Sequence, residues 1–219
     1  MFLLNAGIIA VYGTIWMLFQ SFPGGAAMNL QTQPRLTAED YLAIERSAEF
    51  KSEFFDSEIF AMSGASRSHN AIVLNVGAEL RQQLKKRPCK TYANDMRVKV
   101  DPSGLYTYPD VLVVCGKEQF DDTHFDTLLN PTLIIEVLSD STEAYDRGRK
   151  FEHYRKLESL EEYVLIAQNH PHIESYRRQP NHEWLLTECT GLEGVFRLQS
   201  IDCELALAEV YDKVELPET

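Results

Sequence analysis

Zinc binding, phosphate cradling and serine-nucleophile chemistry each need a local residue pattern, and this chain carries none of them. Its four cysteines, Cys89, Cys115, Cys189 and Cys203, form no CxxC pair and no zinc spacing. The glycines build no phosphate-cradling loop, and neither a Gly-x-Ser-x-Gly elbow nor a zincin motif is present. Basic charge is scarce as well. Against 33 Asp and Glu there are only 21 Lys and Arg, a net charge of −12, which argues against capture of nucleic acid by bulk electrostatics. A nuclease stays open, because carboxylates that hold a metal make the bare chain acidic. Local basic patches also survive at Lys85-Lys86-Arg87 with Lys90, Arg97 with Lys99, Arg147 with Arg149 and Lys150, and Arg177-Arg178. Repeats, low-complexity tracts and linkers are missing too, so the 219 residues leave room for one domain with a sizeable core.

Charge is absent altogether from the first part of the chain: Arg35 is its first charged residue. Residues 2–20 are strongly apolar, yet they lack the positive n-region of a secretory signal and the flanking charges that orient a membrane helix. We read residues 1–27 as a dispensable extension, or a misassigned start, with Met28 as the working initiator. A membrane anchor is the alternative. From Met28 onward the chain resembles a cytoplasmic protein, with the cysteines read as free thiols in a reducing compartment and a structural disulfide as the alternative.

What is present is organised clearly. Thr37 caps a short helix whose first turn is acidic, Thr37-Ala-Glu-Asp. Asp56-Ser57 joins two short strands as a hairpin. From Ser68 to Leu84, His69, Ile72, Val73, Val76, Leu80 and Leu84 fall on one helical stripe, and Pro88 closes it. Strands are predicted at Thr91–Val100, Tyr106–Cys115 and Thr132–Leu138, then a helix over Ser141–Leu157 and a strand over Tyr163–Ala167. Beyond them lie an antiparallel meander, His172–Arg177, Trp184–Glu188 and Val195–Leu198, and a closing helix at Leu205–Val214. The fold class is α/β.

Two carboxylates stand out in this frame. Asp110 in Tyr-Pro-Asp-Val-Leu-Val-Val and Glu136 in Leu-Ile-Ile-Glu-Val-Leu-Ser interrupt apolar runs, and a buried ionised carboxylate is costly unless paired or bound to a cation. Two on neighbouring strands suit a hard divalent cation, which prefers oxygen ligands. On the following helix Asp146, Lys150, Tyr154 and Leu157 share one inward stripe. A lysine there is placed to orient water or offset charge on a phosphate. The blander reading is an i,i+4 ion pair with Asp146. Glu53 offers a further carboxylate, or a solvent-facing hairpin residue. His69 lies on the inner stripe of its helix, within reach of the site or as a bonded core histidine. The other histidines, His124, His153, His170, His172 and His182, show no ligand spacing.

These residues resemble the Uma2 family. The match runs through Pro109-Asp110-Val111, Pro131-Thr-Leu-Ile-Ile-Glu136-Val-Leu-Ser139, Ser141-Thr142, Asp146, Lys150 and Tyr154. Upstream it includes Glu53-Phe-Phe-Asp56-Ser57-Glu58-Ile, Met62-Ser-Gly64 and His69-Asn70, and it spans Leu36 to Val214, within a domain of 28–219. The family is placed in the PD-(D/E)xK nuclease superfamily. The resemblance implies a restriction-endonuclease-like core of helix, three strands, helix, strand, to which this chain adds an N-terminal helix and hairpin and the C-terminal meander. It further implies a Mg²⁺- or Mn²⁺-dependent endonuclease acting on DNA, with Asp110, Glu136, Lys150 and Glu53 catalytic, Asp110 and Glu136 holding metal, and His69, Asp146 and Tyr154 in support. A homodimer stays open. Two departures matter: Leu138 stands where the superfamily usually has lysine, leaving Lys150 as the substitute, and Ser57 replaces the hairpin glycine. The competing reading is a catalytically inactive nuclease-fold protein that binds nucleic acid or a protein partner.

Overall fold

The runs Val111–Cys115, Leu133–Leu138 and Glu162–Ala167 are almost wholly apolar, and each becomes a strand buried on both faces, as central strands covered on two sides must be. The computed structural model describes residues 35–101 and 103–217; the extension expected over residues 1–27 lies outside them. In chain order the described elements begin with α1 (Ala38–Glu45), β1 (Ser52–Phe55), β2 (Glu58–Ala61) and α2 (Arg67–Leu84). They continue with β3 (Cys89–Ala93), β4 (Arg97–Val100), β5 (Leu105–Thr107), β6 (Val111–Cys115), β7 (Thr127–Leu128) and β8 (Leu133–Leu138). A helical segment follows, made of α3 (Glu143–Tyr145), a π-helical turn (Asp146–Lys150) and α4 (Phe151–Tyr154). The remainder is β9 (Glu162–Ala167), β10 (His172–Arg178), β11 (Trp184–Thr190), β12 (Val195–Leu198), β13 (Cys203–Ala206) and α5 (Leu207–Val210).

A six-stranded sheet runs β11-β10-β9-β8-β6-β3 and a five-stranded sheet runs β2-β1-β5-β4-β7, with β12 and β13 as a separate ribbon. The β8–β9 pairing is parallel and carries the helical segment as its crossover. On one face of the larger sheet Ile72, Val76 and Leu80 of α2 pack on Val111, Val113, Ile135 and Val164. On the other, Leu112, Ile134, Leu138 and Leu165 meet Tyr154, Leu157 and Leu160. The α/β class and the core order of helix, three strands, helix, strand are those of the sequence.

Several boundaries differ from expectation. The runs Thr91–Val100 and Tyr106–Cys115 each break in two. Asn94 adopts a left-handed conformation (φ 56°) that turns the chain out of β3 into the second sheet, and Tyr108-Pro109-Asp110 does the same between β5 and β6. The helix predicted over Ser141–Leu157 is shorter and contains the π turn. The meander is split, because β12 pairs with β13 and not β11, and the closing helix expected over Leu205–Val214 shortens to Leu207–Val210, with Leu205 and Ala206 ending β13. Cys89 and Cys115 are joined by a disulfide, which overturns the favoured reading of free thiols and matches its alternative; Cys189 and Cys203 are unbridged. The cause is register. Cys89 lies directly opposite Cys115 in the β3–β6 ladder, a relation that linear spacing does not reveal.

Local chemistry explains the ends. Thr37 Oγ1 accepts from Asp40 N–H and the Asp40 carboxylate accepts from Thr37 N–H, a reciprocal cap on α1. The β1–β2 hairpin puts Asp56 (φ 48°) and Ser57 (φ 68°) both in the left-handed region, where glycine alone has no Cβ penalty. That penalty is roughly 1–2 kcal/mol, and glycine returns about 0.4–1 kcal/mol through the unfolded chain. Ser57→Gly should therefore stabilise the protein by about 0.5–1 kcal/mol, read as a higher midpoint in urea unfolding. A lower midpoint would show that the Ser57 side chain contributes something this conformation does not reveal.

Candidate functional site

Carboxylates from three elements converge on one ammonium. Lys150 ends the π turn, is 6% exposed, and places its Nζ 2.9 Å from Glu136 Oε1 of β8, 3.5 Å from Glu53 Oε1 of β1 and 3.6 Å from Asp146 Oδ1 at the start of the same turn. Tyr154, one turn further along, donates its hydroxyl to Glu136 Oε1 at 2.9 Å. Thr107 of β5 donates to Glu53 Oε1. The backbone carbonyl of Asp146 accepts from the Tyr163 hydroxyl of β9 at 3.1 Å, which pins the π turn to the sheet. Lys150 thus reaches both the expected catalytic acid and the i,i+4 partner of the blander reading, and the shorter contact is to Glu136.

Asp110 and His69 form an adjoining pair. Asp110 lies just ahead of β6, at the end of the sheet, and not within a strand as expected. Val111 stands opposite Ile135 in the ladder, so Asp110 comes beside Glu136. Its Oδ2 accepts from Val137 N–H at 2.8 Å and meets His69 Nε2, from the first turn of α2, at 3.1 Å. Its backbone N–H points at Glu136 Oε2 at 3.4 Å, a long contact. Asp110 Oδ1 takes no hydrogen bond among the described residues. Two carboxylate oxygens, Asp110 Oδ1 and Glu136 Oε2, are therefore left with little or no protein donor. That donor set, hard oxygens on acidic side chains, fits Mg²⁺ or Mn²⁺.

The electrostatics follow from one cation among several acids. Burial drives the Glu136 carboxyl well above the ordinary carboxylate range; Lys150 pulls it down, and Asp110 and Asp146 push it up again. Burial raises Asp146 too, against the pull of Lys150 and a hydrogen bond from Thr142. For Lys150 burial acts downward, but Glu136, Tyr154, Glu53 and Asp146 together hold its ammonium well above the ordinary lysine value. As a coupled unit the cluster keeps Lys150 protonated and carries more carboxylates than it can neutralise. A proton or a divalent cation relieves the surplus.

Sequence reasoning missed two parts of this region. Tyr145 borders the cluster, and its hydroxyl is pushed up to about 12 by burial and by Glu53; its place beside Asp146 was the available signal. His172, Glu174 and Glu188 also come together, with ligand atoms within 4.8 Å of one another. Among the described residues this, and not a set around Asp110 and Glu136, is the group of three so close. Glu174 faces Glu188 directly across β10–β11, a pairing hidden from linear spacing, and Arg147 already neutralises Glu174. Among the described residues no helix is long and apolar enough to cross a membrane.

The chain as a whole has relatives among known proteins. The family model Uma2, described as "Putative restriction endonuclease", matches residues 38–208. The Synechocystis "Uncharacterized protein sll1609" is 38% identical over 164 residues, which is 75% of this chain and 93% of that protein. A second Synechocystis protein, "Uncharacterized protein slr1290", is 33% identical over 178 residues, 81% of this chain and 92% of that one. The crystal structure of an Anabaena variabilis protein described as "a putative nuclease belonging to DUF820" superimposes with a TM-score of 0.65 at 16% identity, covering 79% of this chain and 96% of that one. At that identity the likeness shows the fold.

The raised carboxyls give a sign to the pH dependence. A carboxyl whose folded pKa exceeds its unfolded value stabilises fully below the ordinary range near 4 and loses that contribution as pH rises through the folded value. Glu136→Gln cannot ionise and escapes the loss. In EDTA, the variant should gain melting temperature relative to the wild type as pH rises from 5 to 8. The opposite trend would mean that Lys150 outweighs burial and holds Glu136 low.

Proposed function

The chain belongs to the Uma2 family, and on that premise we propose that it is a metal-dependent endonuclease that hydrolyses phosphodiester bonds of DNA. The observation that carries this reading is the 2.9 Å contact between Lys150 Nζ and Glu136 Oε1, made although Leu138 fills the usual lysine position. Leu138 is packed among Leu112, Tyr154 and Leu157 and takes no part in polar chemistry. Lys150 supplies the missing cation from the helix.

Asp110 and Glu136 would hold Mg²⁺ or Mn²⁺ through the oxygens left open to them, with Glu53 near enough to Lys150 to complete the acidic pocket. A bound divalent ion supplies Lewis-acid chemistry: it makes water a nucleophile near neutral pH and offsets charge gathering on the phosphate. The chain's own groups do the rest. His69 and Val137 N–H fix the Asp110 carboxylate through Oδ2. Tyr154 and Lys150 fix Glu136 through Oε1. The Lys150 ammonium orients water and faces the charge that develops on phosphate oxygen.

A nuclease-fold protein that binds without cutting is the second reading. What favours it is the closeness of the Lys150 cluster, in which one ammonium is already shared among three carboxylates.

Incubation of plasmid and single-stranded DNA with Mg²⁺ or Mn²⁺ decides between them. Wild type should nick or linearise plasmid, and Glu136→Ala should not. Lys150→Ala should lose about 10²–10³ in rate, as for other donors aimed at a transition state, while a Mn²⁺ titration of the same variant stays near wild type. Asp110→Asn should instead weaken Mn²⁺ binding itself. Wild type inert with both metals leaves the binding reading standing; full activity in Lys150→Ala removes the lysine from the mechanism.

A further inference from the structure

Between Leu80 and Asn94 there is no Asp or Glu, yet Arg81, Lys85, Lys86, Arg87 and Lys90 all fall there, in a chain whose net charge is −12. In the structure this segment is the C-terminal end of α2 and the strand β3, which forms one edge of the six-stranded sheet. Together they line an open groove of about 640 Å³. Two of its cations are already used. Lys90 pairs with Glu118, and Arg87 donates to the carbonyls of Ile201 and Asp202. Arg81, Lys85 and Lys86 are exposed, with no ion pair among the described residues. Thr91, which lines the groove, has a buried hydroxyl without a hydrogen-bond partner. The dipole of α2 favours cations in its last turn but explains neither those beyond it nor the exclusion of acids.

The groove's distance from the acidic site can be estimated along two separate elements. His69 touches Asp110 from the first turn of α2, and at 1.5 Å per residue Arg81 lies about 18 Å further along. Asn94 N–H donates to the Asp110 carbonyl at 3.0 Å, and at about 3.3 Å per residue the start of β3 lies about 17 Å away. Phosphates follow one another at about 3.4 Å of rise per strand of duplex. Both routes therefore correspond to about five base steps.

We propose that this groove holds the phosphate backbone of a DNA duplex, starting about five base steps from the bond at Asp110 and Glu136, through Arg81 and Lys85 of its lining and the exposed Lys86 that follows them in the chain. The assignment rests on the nuclease reading for its register, and charge complementarity selects the occupant: three cations on one short segment, without ion pairs among the described residues, on an otherwise acidic protein, facing a polyanion. An acidic chain can then take up DNA on one track while its carboxylates stay gathered elsewhere.

The test is fluorescence anisotropy of a labelled 20-base-pair duplex in EDTA, across a series of salt concentrations, with the full-length protein. The triple variant Arg81→Gln, Lys85→Gln, Lys86→Gln changes only exposed positions; melting temperature and circular dichroism check that it folds. It should bind at least tenfold more weakly than wild type. Its plot of log K against log salt should be shallower by about 2.7, since each phosphate that the protein no longer neutralises removes about 0.9 from the slope. Wild-type affinity and slope in the variant would overturn the proposal, and so would a wild type that binds anionic phospholipid vesicles but no duplex. The two readings part cleanly. Salt-dependent binding that disappears in the triple variant, with no cleavage by wild type, keeps the groove and sinks the nuclease. Cleavage with unchanged binding in the variant does the reverse.

Discussion

One buried ammonium ties the two sheets of this protein together. Lys150 meets Glu53 from the five-stranded sheet, Glu136 from the six-stranded sheet and Asp146 from its own helical segment. Three acids share this one cation, and removing one partner of a buried ion pair commonly costs about 3–5 kcal/mol. The π turn belongs to the same constraint. It carries both Asp146 and Lys150, each nearly fully buried, and single π turns inside helices recur where function needs side chains re-aimed. Tyr163 then anchors the turn to β9, so the geometry of the cluster is inherited from the sheet.

The sequence was most legible where polarity contradicted its surroundings. Asp110, Glu136 and Lys150 were visible because each interrupts an apolar pattern, and the structure brings Glu136 and Lys150 into contact. The helix of His69 was visible from its stripe and the cap of α1 from Thr37, whereas α2 is capped by Ser66, two residues before the start read at Ser68. Illegible features were the non-local ones. The Glu53 contact to Lys150 exists only because the two sheets dock, and the Cys89–Cys115 bridge only because of a strand register. The broken strands had local signals, Asn94-Asp95 and Pro109, that hydrophobic runs on either side concealed. A 3.6-residue period cannot distinguish an α from a π turn over five residues, so Ser141–Leu157 read as one regular helix.

Charge is sorted in space in a way that composition hides. Much of the carboxylate surplus at the site is buried, where burial and mutual repulsion hold the Glu136 and Asp146 carboxyls above the ordinary carboxylate range. Other acids are spent in ion pairs: Asp122 and Asp126 on Arg46, Asp121 on Lys99, Glu118 on Lys90. A net charge summed over the chain therefore says little about the field at any one face.

The placement of the lysine on a helix has a consequence for the acid it serves. Lys150 and Tyr154 stand four residues apart on the inward face of one helical segment, and both reach the same oxygen, Glu136 Oε1. A lysine at position 138 would leave the strand two residues from Glu136 on the same face, into the cluster now filled by Leu112, Tyr154 and Leu157, and would displace apolar packing to approach the carboxylate from beside it. From the helix the ammonium comes over the top. Both donors then settle on Oε1, while Oε2 keeps only the long contact to Asp110 N–H. Asp110 is held in the same manner, with His69 and Val137 N–H on Oδ2 and Oδ1 left open. Each acid is thus fixed through one oxygen and has little or no donor at the other, the state in which a carboxylate can ligate a hard cation, and the leucine at 138 is compatible with it because the ammonium beside Glu136 comes from the helix.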